Sequence, residues 1–464
     1  MTVTTHAPID ARPLAAFAQG ARLEDAPADV VRLARLLLLD SIGVLVGGLH
    51  YPQVQALVRS LRAAEPSGPR DAPFARLAGL GTAATWLDAD SGGSFHPQGH
   101  RLPPVPTAHP APHCLPVLLH AAAAGGVPDR RITEVFLLAC EVGMRFGVGT
   151  SLRPGLHPHG IHGPVAAALA ASVLSDLPPA ATAEALLLGG SVPMAATLAV
   201  PMQGGTIRNV WTGLGAYYGA AGAGRAADGA RGSADLVARL LDSAVCTDLD
   251  PDELTGGLGE RWRLADSYLK PYACARWIHP ALDAWRAAVA DVSDPAQARG
   301  GIAEIAVETF AFAVSLDAVD VGSDMHARFS LPVCLAALAL DGDLVAQTFL
   351  PDRLARPEVR EIAARVRLSE RSEFSAALPR ERPATVTVRW RDGSSATAGV
   401  RNARGNPDDP LGADEVERKF RLNVAGLLGD ATTDAVVAAL LHPTDADTTA
   451  VPRLASEVLA EIGC

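Results

Sequence analysis

The chain has 464 residues, enough for two or three domains, and its 48% apolar content is ample for a large core. Its net charge of −11 leaves no basic face for nucleic acid or an acidic membrane surface. The six cysteines are scattered without a CxxC pair, which argues against a cysteine-held metal centre and favours free thiols in a reducing cytosol. The N-terminal MTVTTHAPIDARPLAAFAQG lacks the pattern of a signal peptide, and no apolar stretch is a convincing membrane span. We therefore expect a cytoplasmic protein with no membrane or nucleic-acid partner.

The first half of the chain has a helical pattern. Apolar residues recur at helical spacing in VVRLARLLLLDSIGVLVGGL and in RITEVFLLACEVGMRFGVG. GPVAAALAASVLSDL carries Pro164 in a first-turn position and small residues throughout. Helices that are apolar on all sides belong inside a bundle. Residues 1–270 are therefore predicted to form the main part of a large all-helical domain.

The pattern changes after Lys270. IAEIAVETFAFAVSL alternates like a strand, and PATVTVRWRDGSSATAGVRN predicts a hairpin that turns at Asp392 and Gly393. Helical patterns lie between these strands, so residues 271–402 are predicted to form a smaller α+β lid domain. Residues 403–464 are helical again and are expected to return to the first bundle. The predicted fold class is mainly α, with a large helical domain and a smaller α+β lid domain.

Histidines are concentrated in one region, with eight of the thirteen between residues 96 and 162. LDADSGG places Asp88 and Asp90 just before them. On a strand or extended turn the two carboxylates would share a side, whereas on a helix they would diverge. HPAPH places His109 and His113 four residues apart, and its two prolines argue against a regular helix there. Histidine exchanges protons near neutral pH, so imidazoles gathered beside carboxylates indicate a built site.

The second histidine group is LHPHGIHGP, with His157, His159 and His162. His-x-His is a chelating spacing, so a metal site is one interpretation. The segment fixes no carboxylate ligand, however, and it runs into a helix that begins near Gly163. Helix starts offer unpaired N–H groups and partial positive charge. The favoured interpretation is therefore a corner that binds a carboxylate and donates protons, without a metal.

Two cationic side chains complete the candidate site. Arg208 follows a Gly-Gly turn, where its fork suits a substrate carboxylate. Lys270 lies beside Tyr272 in YLKPYACARWIHP, and only one other lysine, Lys419, occurs in this arginine-rich chain. A lysine in apolar surroundings loses proton affinity and can act as a base.

At these residues the chain resembles the MmgE/PrpD family, which includes 2-methylcitrate dehydratase, cis-aconitate decarboxylase and iminodisuccinate epimerase. The resembling segments cover nearly the whole chain, and they are LLLDSIGVLVGG, LDADSG, HPAPHCLPVLL, CEVGMRFG, LHPHGIHGPVAAALAA, TIRNVWTG, YLKPYACARWIHPALDA, ARFSLPVCLAALALDG and KFRLNVAGLL. The resemblance implies a discontinuous helical domain, an α+β lid, an active site between them, a homodimer, and no metal or other cofactor.

The family's site residues can be carried over at four positions. The first aspartate of its D-x-D motif falls on Asp88, its two site histidines on His109 and His157, and its site lysine on Lys270. Arg208 stands where dehydratase and decarboxylase members often have lysine.

The chain departs from the family pattern at three positions. Gly92 and His159 each replace a threonine, and Val333 replaces a tyrosine. These departures are typical of a separate branch of the family with its own substrates.

The shared chemistry is proton transfer next to a carboxylate or similar carbonyl group. Lys270 is the predicted base, His109 and His157 the acids or carboxylate donors, and Arg208 the carboxylate clamp. Asp88 is predicted to orient a histidine. The remaining residues expected to contact the substrate are His159, His113, Asp90 and Tyr272.

The first functional hypothesis is a lyase of the dehydratase type, acting on a small carboxylated metabolite by β-elimination. An epimerase, isomerase or decarboxylase would use the same proton abstraction. A binding protein that kept the fold and lost activity is the non-enzymatic alternative. Gly92 and Val333 favour that alternative, whereas the family site residues that this chain keeps argue against it.

Overall fold

The computed structural model describes residues 8–64, 73–93, 108–194, 196–290, 301–444, 446 and 448–462. The chain up to residue 270 is mostly helical. Its helices are α1 Arg12–Gly20, α2 Ala28–Gly48, α3 Pro52–Ala64, α4 Pro73–Trp86, α5 Ala111–Ala123, α6 Asp129–Val148, α7 Gly163–Leu174, α8 Pro179–Gly190, α9 Ala199–Met202, α10 Ile207–Ala227, α11 Ala234–Leu240 and α12 Pro251–Thr255.

Short antiparallel strand pairs tie the loops between these helices together. The strands are β1 Gly92–Gly93, β2 Thr150–Leu152, β3 Leu156–His157, β4 Ala196–Thr197, β5 Cys246–Leu249 and β6 Ser267–Tyr268. β1 pairs with β6, β2 with β5, and β3 with β4. The first pair joins the loop after α4 to the segment that carries Lys270.

Small residues allow the inner helices to approach closely. α10 packs on α4, α7 and α8, and a Cβ atom added at Gly213 would lie 2.0 Å from the carbonyl oxygen of Ala78 in α4. Only glycine fits at that contact, because any side chain would collide with backbone. The glycine- and alanine-rich sequence of α10 therefore reflects its place inside the bundle.

The α+β part is built on one four-stranded sheet. Its strands are β7 Ile302–Thr309, β8 Val366–Glu370, β9 Ala384–Trp390 and β10 Ser395–Val400, in the order β10-β9-β7-β8. Only β7 and β8 are parallel. The helices of this part are α13 His279–Ala288, α14 Ala311–Val314, α15 Asp324–Arg328, α16 Leu331–Asp341, α17 Pro351–Leu354, α18 Pro357–Ala363 and α19 Ser372–Ala377. Alternate β7 residues Ile305 and Val307 are fully buried and share a second apolar core with α13 and α16.

The C-terminal helices pack on the helical part. They are α20 Ala413–Val424, α21 Asp430–Leu441 and α22 Ala450–Glu461. Phe420 of α20 is fully buried, and Gly43 of α2 leaves room for its ring, since a Cβ there would lie 2.9 Å from Cδ2 of Phe420. The predicted fold class, mainly α with a smaller α+β part, is confirmed.

Individual elements both follow and correct the sequence predictions. The predicted hairpin forms between β9 and β10, with Gly393 in the left-handed region at its turn. The prediction of no regular helix in HPAPH is wrong: α5 begins at Ala111, because prolines are tolerated in a helix's first turn. The predicted strand after residue 301 ends at Thr309, where α14 soon begins. Within the described part of the chain, no helix has the length and apolar character needed to cross a membrane.

Candidate active site

The segment that follows α4 forms the centre of the candidate site. Asp88 adopts a left-handed conformation with φ of 50°, which aspartate tolerates better than most residues. β1 then runs beside β6, with Gly92 opposite Tyr268. This pairing places Asp88, Asp90 and Lys270 in one buried region at the junction of the helical part with the chain that enters the α+β part.

Asp88 lies between two cations. Arg208, in the first turn of α10, donates from Nη2 to Oδ1 of Asp88 at 2.7 Å. Lys270 donates from Nζ to the Asp88 carbonyl oxygen at 2.7 Å and lies 3.4 Å from Oδ1. No histidine bonds to Asp88 among the described residues, so the prediction that Asp88 orients a histidine is wrong.

Arg208 retains unused donors. Its Nε and Nη1 atoms are buried and have no hydrogen-bond partner among the described residues. Leaving a buried guanidinium donor unpaired costs free energy, and a carboxylate is the acceptor that matches its fork. This geometry suits the predicted carboxylate clamp.

Asp90 is the carboxylate that contacts histidines. Its Oδ2 lies 2.8 Å from Nδ1 of His109 and 2.8 Å from Nε2 of His159. The His109 Nδ1 also lies 2.8 Å from the Ser91 carbonyl oxygen, which identifies that nitrogen as a donor in this arrangement. The His109 and His159 rings stack with centroids 4.0 Å apart.

His157 extends this group by one imidazole. Its Nδ1 lies 2.9 Å from Nδ1 of His159, and the two ring centroids are 4.5 Å apart. The His159 backbone N–H points at Nδ1 of His157 from 3.3 Å. In the tautomer in which His159 donates from Nε2 to ionised Asp90, its Nδ1 accepts a hydrogen bond from Nδ1 of His157, and the backbone contact is not made. The Nε2 of His157 then carries a free lone pair, and no described residue bonds to it. We call Asp90, His159 and His157 the imidazole chain.

The charges follow from these contacts. Burial raises the pKa of Asp90, but His159, Lys270 and the two imidazole hydrogen bonds outweigh it and hold that pKa well below its usual range. Burial, reinforced by neighbouring cationic groups, lowers the pKa of His157 and of His159 well below the usual histidine value. At neutral pH the imidazole chain therefore combines an ionised carboxylate with neutral rings.

Lys270 behaves differently from the sequence prediction. Burial pulls its pKa down, but the carboxylates of Asp88 and Asp90 outweigh burial, and the pKa is raised. The prediction that the surroundings of Lys270 reduce its proton affinity is wrong, because the sequence did not show that two carboxylates lie beside it. A lysine that stays protonated is suited to holding negative charge rather than to accepting a proton.

Two predicted residues lie outside this group. The His113 ring packs between helices, where a Cβ added at Gly163 would lie 2.1 Å from it, and burial lowers its pKa to about 4. Tyr272 donates its hydroxyl to Oδ1 of Asp283 at 2.7 Å, on the α+β side. His162, from the second histidine group, pairs with Thr150 at 3.0 Å, and the histidines at 96 and 100 lie outside the described residues.

The sequence reasoning passed over the second lysine. Lys419 of α20 is buried, forms an ion pair with Asp40 at 2.7 Å and donates to the Ala89 carbonyl oxygen at 3.1 Å. Both lysines of the chain therefore hold consecutive carbonyls of the Asp88–Asp90 segment. The sequence could have singled out Lys419, because it is one of only two lysines in the chain and that scarcity drew attention to Lys270.

Gly92, a departure from the family pattern, is explained by the imidazole packing. A Cβ atom there would lie 2.6 Å from Cε1 of His109 and 2.8 Å from the Tyr268 hydroxyl. A threonine at this position is incompatible with the observed His109 ring, so the ring can occupy its position only because residue 92 is glycine. Tyr268, which the sequence reasoning did not single out, meets the His109 ring edge-on with centroids 6.2 Å apart.

Comparison with known proteins covers most of the chain. The MmgE/PrpD N-terminal domain matches residues 12–241, and the MmgE/PrpD C-terminal domain matches residues 272–442. A cis-aconitate decarboxylase of Aspergillus terreus is 23% identical over 450 residues, 89% of either chain. The cis-aconitate decarboxylase-like protein oryM of Aspergillus oryzae is 25% identical over 449 residues, 86% of either chain. The chain thus belongs to the MmgE/PrpD family.

Proposed function

We propose that the protein is a lyase of the dehydratase type, which removes a proton next to a carboxylate of a small substrate and expels a β-leaving group. The family and its cis-aconitate decarboxylase relatives support an enzyme that acts on small carboxylates. The observation that carries the proposal is that Asp88 contacts two cations, Arg208 and Lys270, while Asp90, two residues later, contacts imidazoles.

The two cations, Arg208 and Lys270, bind the negative charge of the substrate. The open donors of Arg208 receive the carboxylate, and the charged Lys270 stabilises the negative charge that builds up as the adjacent C–H bond breaks. Both cations are already oriented by Asp88, so little reorganisation is needed during reaction.

The imidazole chain accepts the proton that is removed from the substrate. Nε2 of His157 accepts it, the Nδ1 proton of His157 moves to Nδ1 of His159, and Asp90 stabilises the resulting imidazolium. His157 Nδ1 is then free to accept the His159 backbone N–H, 3.3 Å away. These proton transfers use only side chains of this protein.

His109 is the proposed acid for the leaving group. Asp90 and the Ser91 carbonyl accept from its Nδ1, so His109 acts as the acid in its doubly protonated form, whose second proton passes from Nε2 to the leaving group. Its ring centroid lies 6.4 Å from that of His157, so a small substrate can contact both rings. Loss of CO2 in place of a leaving group is the alternative that the cis-aconitate decarboxylase relatives favour.

The test is solvent exchange in D2O followed by NMR, with a panel of small hydroxy-, amino- and unsaturated carboxylates. Net formation of an unsaturated acid supports the lyase, and CO2 release supports the decarboxylase. Exchange without net reaction supports an epimerase. Silence across the panel, with His157→Gln as the matched blank, favours the non-catalytic alternative.

A further inference from the structure

Asp90, His109 and His159 form a compact set of metal-ligand atoms. One ligand atom from each residue lies within 4.8 Å of the other two, and all three residues are buried. The second oxygen of Asp90, Oδ1, is buried without a hydrogen-bond partner in the described part of the chain. A buried carboxylate oxygen rarely stays unpaired, so this atom points to a missing electropositive partner.

The donor set matches a divalent transition ion. Two imidazole nitrogens and one carboxylate oxygen are a common protein ligand set for Zn²⁺ and its neighbours. Ligands about 2.1 Å from a tetrahedral ion lie roughly 3.4 Å apart. Asp90 Oδ2 is 2.8 Å from each nitrogen, so each of these separations would have to lengthen by about 0.6 Å to admit the ion. The unpaired Oδ1 of the same carboxylate is then a second oxygen available to the ion.

From the sequence, a metal site was disfavoured because no carboxylate ligand could be identified. LHPHGIHGP contains no acidic residue, but the fold brings Asp90 to His159 from 69 residues earlier in the chain. The far nitrogen of His159 meets His157, a contact that fixes the ring orientation as outer-shell partners of metal-bound histidines do.

We propose that Asp90, His109 and His159 bind a divalent transition-metal ion, Zn²⁺ in particular, and that the bound ion blocks proton abstraction. The proposed inhibition of proton abstraction rests on the proposed function, whereas the proposed metal binding does not. An ion on Nδ1 of His109 and Nε2 of His159 moves each ring's proton to its other nitrogen. His109 then gives up its hydrogen bond to the Ser91 carbonyl, and the Nδ1–H of His159 donates to Nδ1 of His157. His157 must then carry its own proton on Nε2 and can no longer act as a base.

The binding test uses metal-free full-length protein titrated with Zn²⁺ in a calorimeter. We expect one site per chain, and at least a ten-fold loss of affinity in His159→Gln. The matched control is His120→Gln, at a partly buried histidine of α5 outside the cluster, which should bind like wild type. Absence of saturable binding, or equal affinity in His159→Gln, overturns the site.

A second measurement needs no variant, in case His159→Gln does not fold. X-ray absorption of the one-to-one Zn²⁺ complex should show two imidazoles and a carboxylate-type oxygen. A shell with sulfur, or with oxygen alone, overturns the assignment.

Activity separates the two parts of the proposal. Inhibition by Zn²⁺ that a chelator reverses supports the block. Tight binding with unchanged turnover leaves the metal site standing and contradicts the imidazole chain as the base. Activation by Zn²⁺ overturns the block and makes the ion a participant.

Discussion

The two sides of the Asp88–Asp90 segment perform different physical tasks, although only one residue separates the carboxylates. Asp88 contacts the guanidinium of Arg208 and the amine of Lys270. Asp90 contacts the imidazole rings of His109 and His159. A carboxylate beside fixed cations holds them in place, whereas a carboxylate beside imidazoles can stabilise a proton that arrives.

Backbone geometry produces this difference. The left-handed turn at Asp88, just before β1, directs the two side chains to different neighbours. From the sequence, Asp88 was expected to orient a histidine and Asp90 to contact the substrate, whereas in the structure Asp90 is the one that contacts histidines. We therefore assign charge binding to the Asp88 side and proton transfer to the Asp90 side. Variants can test each side separately.

The largest effect is expected on the imidazole side. Asp90→Asn removes the charge that stabilises the His159 imidazolium, and kcat should fall on the order of a thousand-fold, with KM little changed. The measurement is the deuterium exchange rate on protein whose thermal unfolding shows that it is folded. A fall of less than ten-fold would contradict the proton role of Asp90.

Lys270 tests the cationic side. Lys270→Met should lower kcat/KM about a hundred-fold, because the developing negative charge loses a buried counter-charge. Lys270→Arg keeps the charge and should stay within about ten-fold of wild type, the scale of one weakened charged hydrogen bond of roughly 1.5 kcal/mol. If both variants lose exchange equally, Lys270 is the base after all, as the sequence suggested.

Lys419 tests whether the segment between the two sides must be held in place. The double variant Asp40→Asn/Lys419→Met removes a buried ion pair together, so no lone charge remains, but Ala89 loses its donor. We expect kcat to fall about ten-fold with KM within about two-fold. Asp40→Asn alone keeps the amine and serves as the control. An unchanged kcat in the double variant would reduce Lys419 to a structural role.

His162 provides the smallest effect and a reference for an imidazole on neither side. Burial lowers its pKa to about 4, below the unfolded value of 6.5. Because the unfolded state binds this proton first, the stability contributed by neutral His162 is lost as the pH falls from 6.5 towards 4. His162→Gln should therefore flatten the pH dependence of the free energy of unfolding over that interval, by up to about 3 kcal/mol. Identical pH profiles in denaturant unfolding would contradict this.

Helical periodicity was sufficient to predict α2 and α6, and the strand pattern around Asp392 and Gly393 was sufficient to predict the β9–β10 hairpin, because these patterns are strong and local. The HPAPH segment was harder, since the sequence does not say whether its prolines precede a helix or occupy its first turn. His113 was consequently assigned to substrate contact, whereas its ring is packed against Gly163 and Gly215.

The sequence by itself determined the set of chemical groups: clustered histidines, a D-x-D pair, Arg208 and a rare lysine, arranged in the order of one family. Only the tertiary structure decided which carboxylate meets which partner, because Asp90 and His159 lie 69 residues apart and Asp88 and Lys270 lie 182 apart. The charge of Lys270 was decided in the same way. A pKa depends on every charge within a few ångströms, and those neighbours are brought together by folding rather than by sequence order.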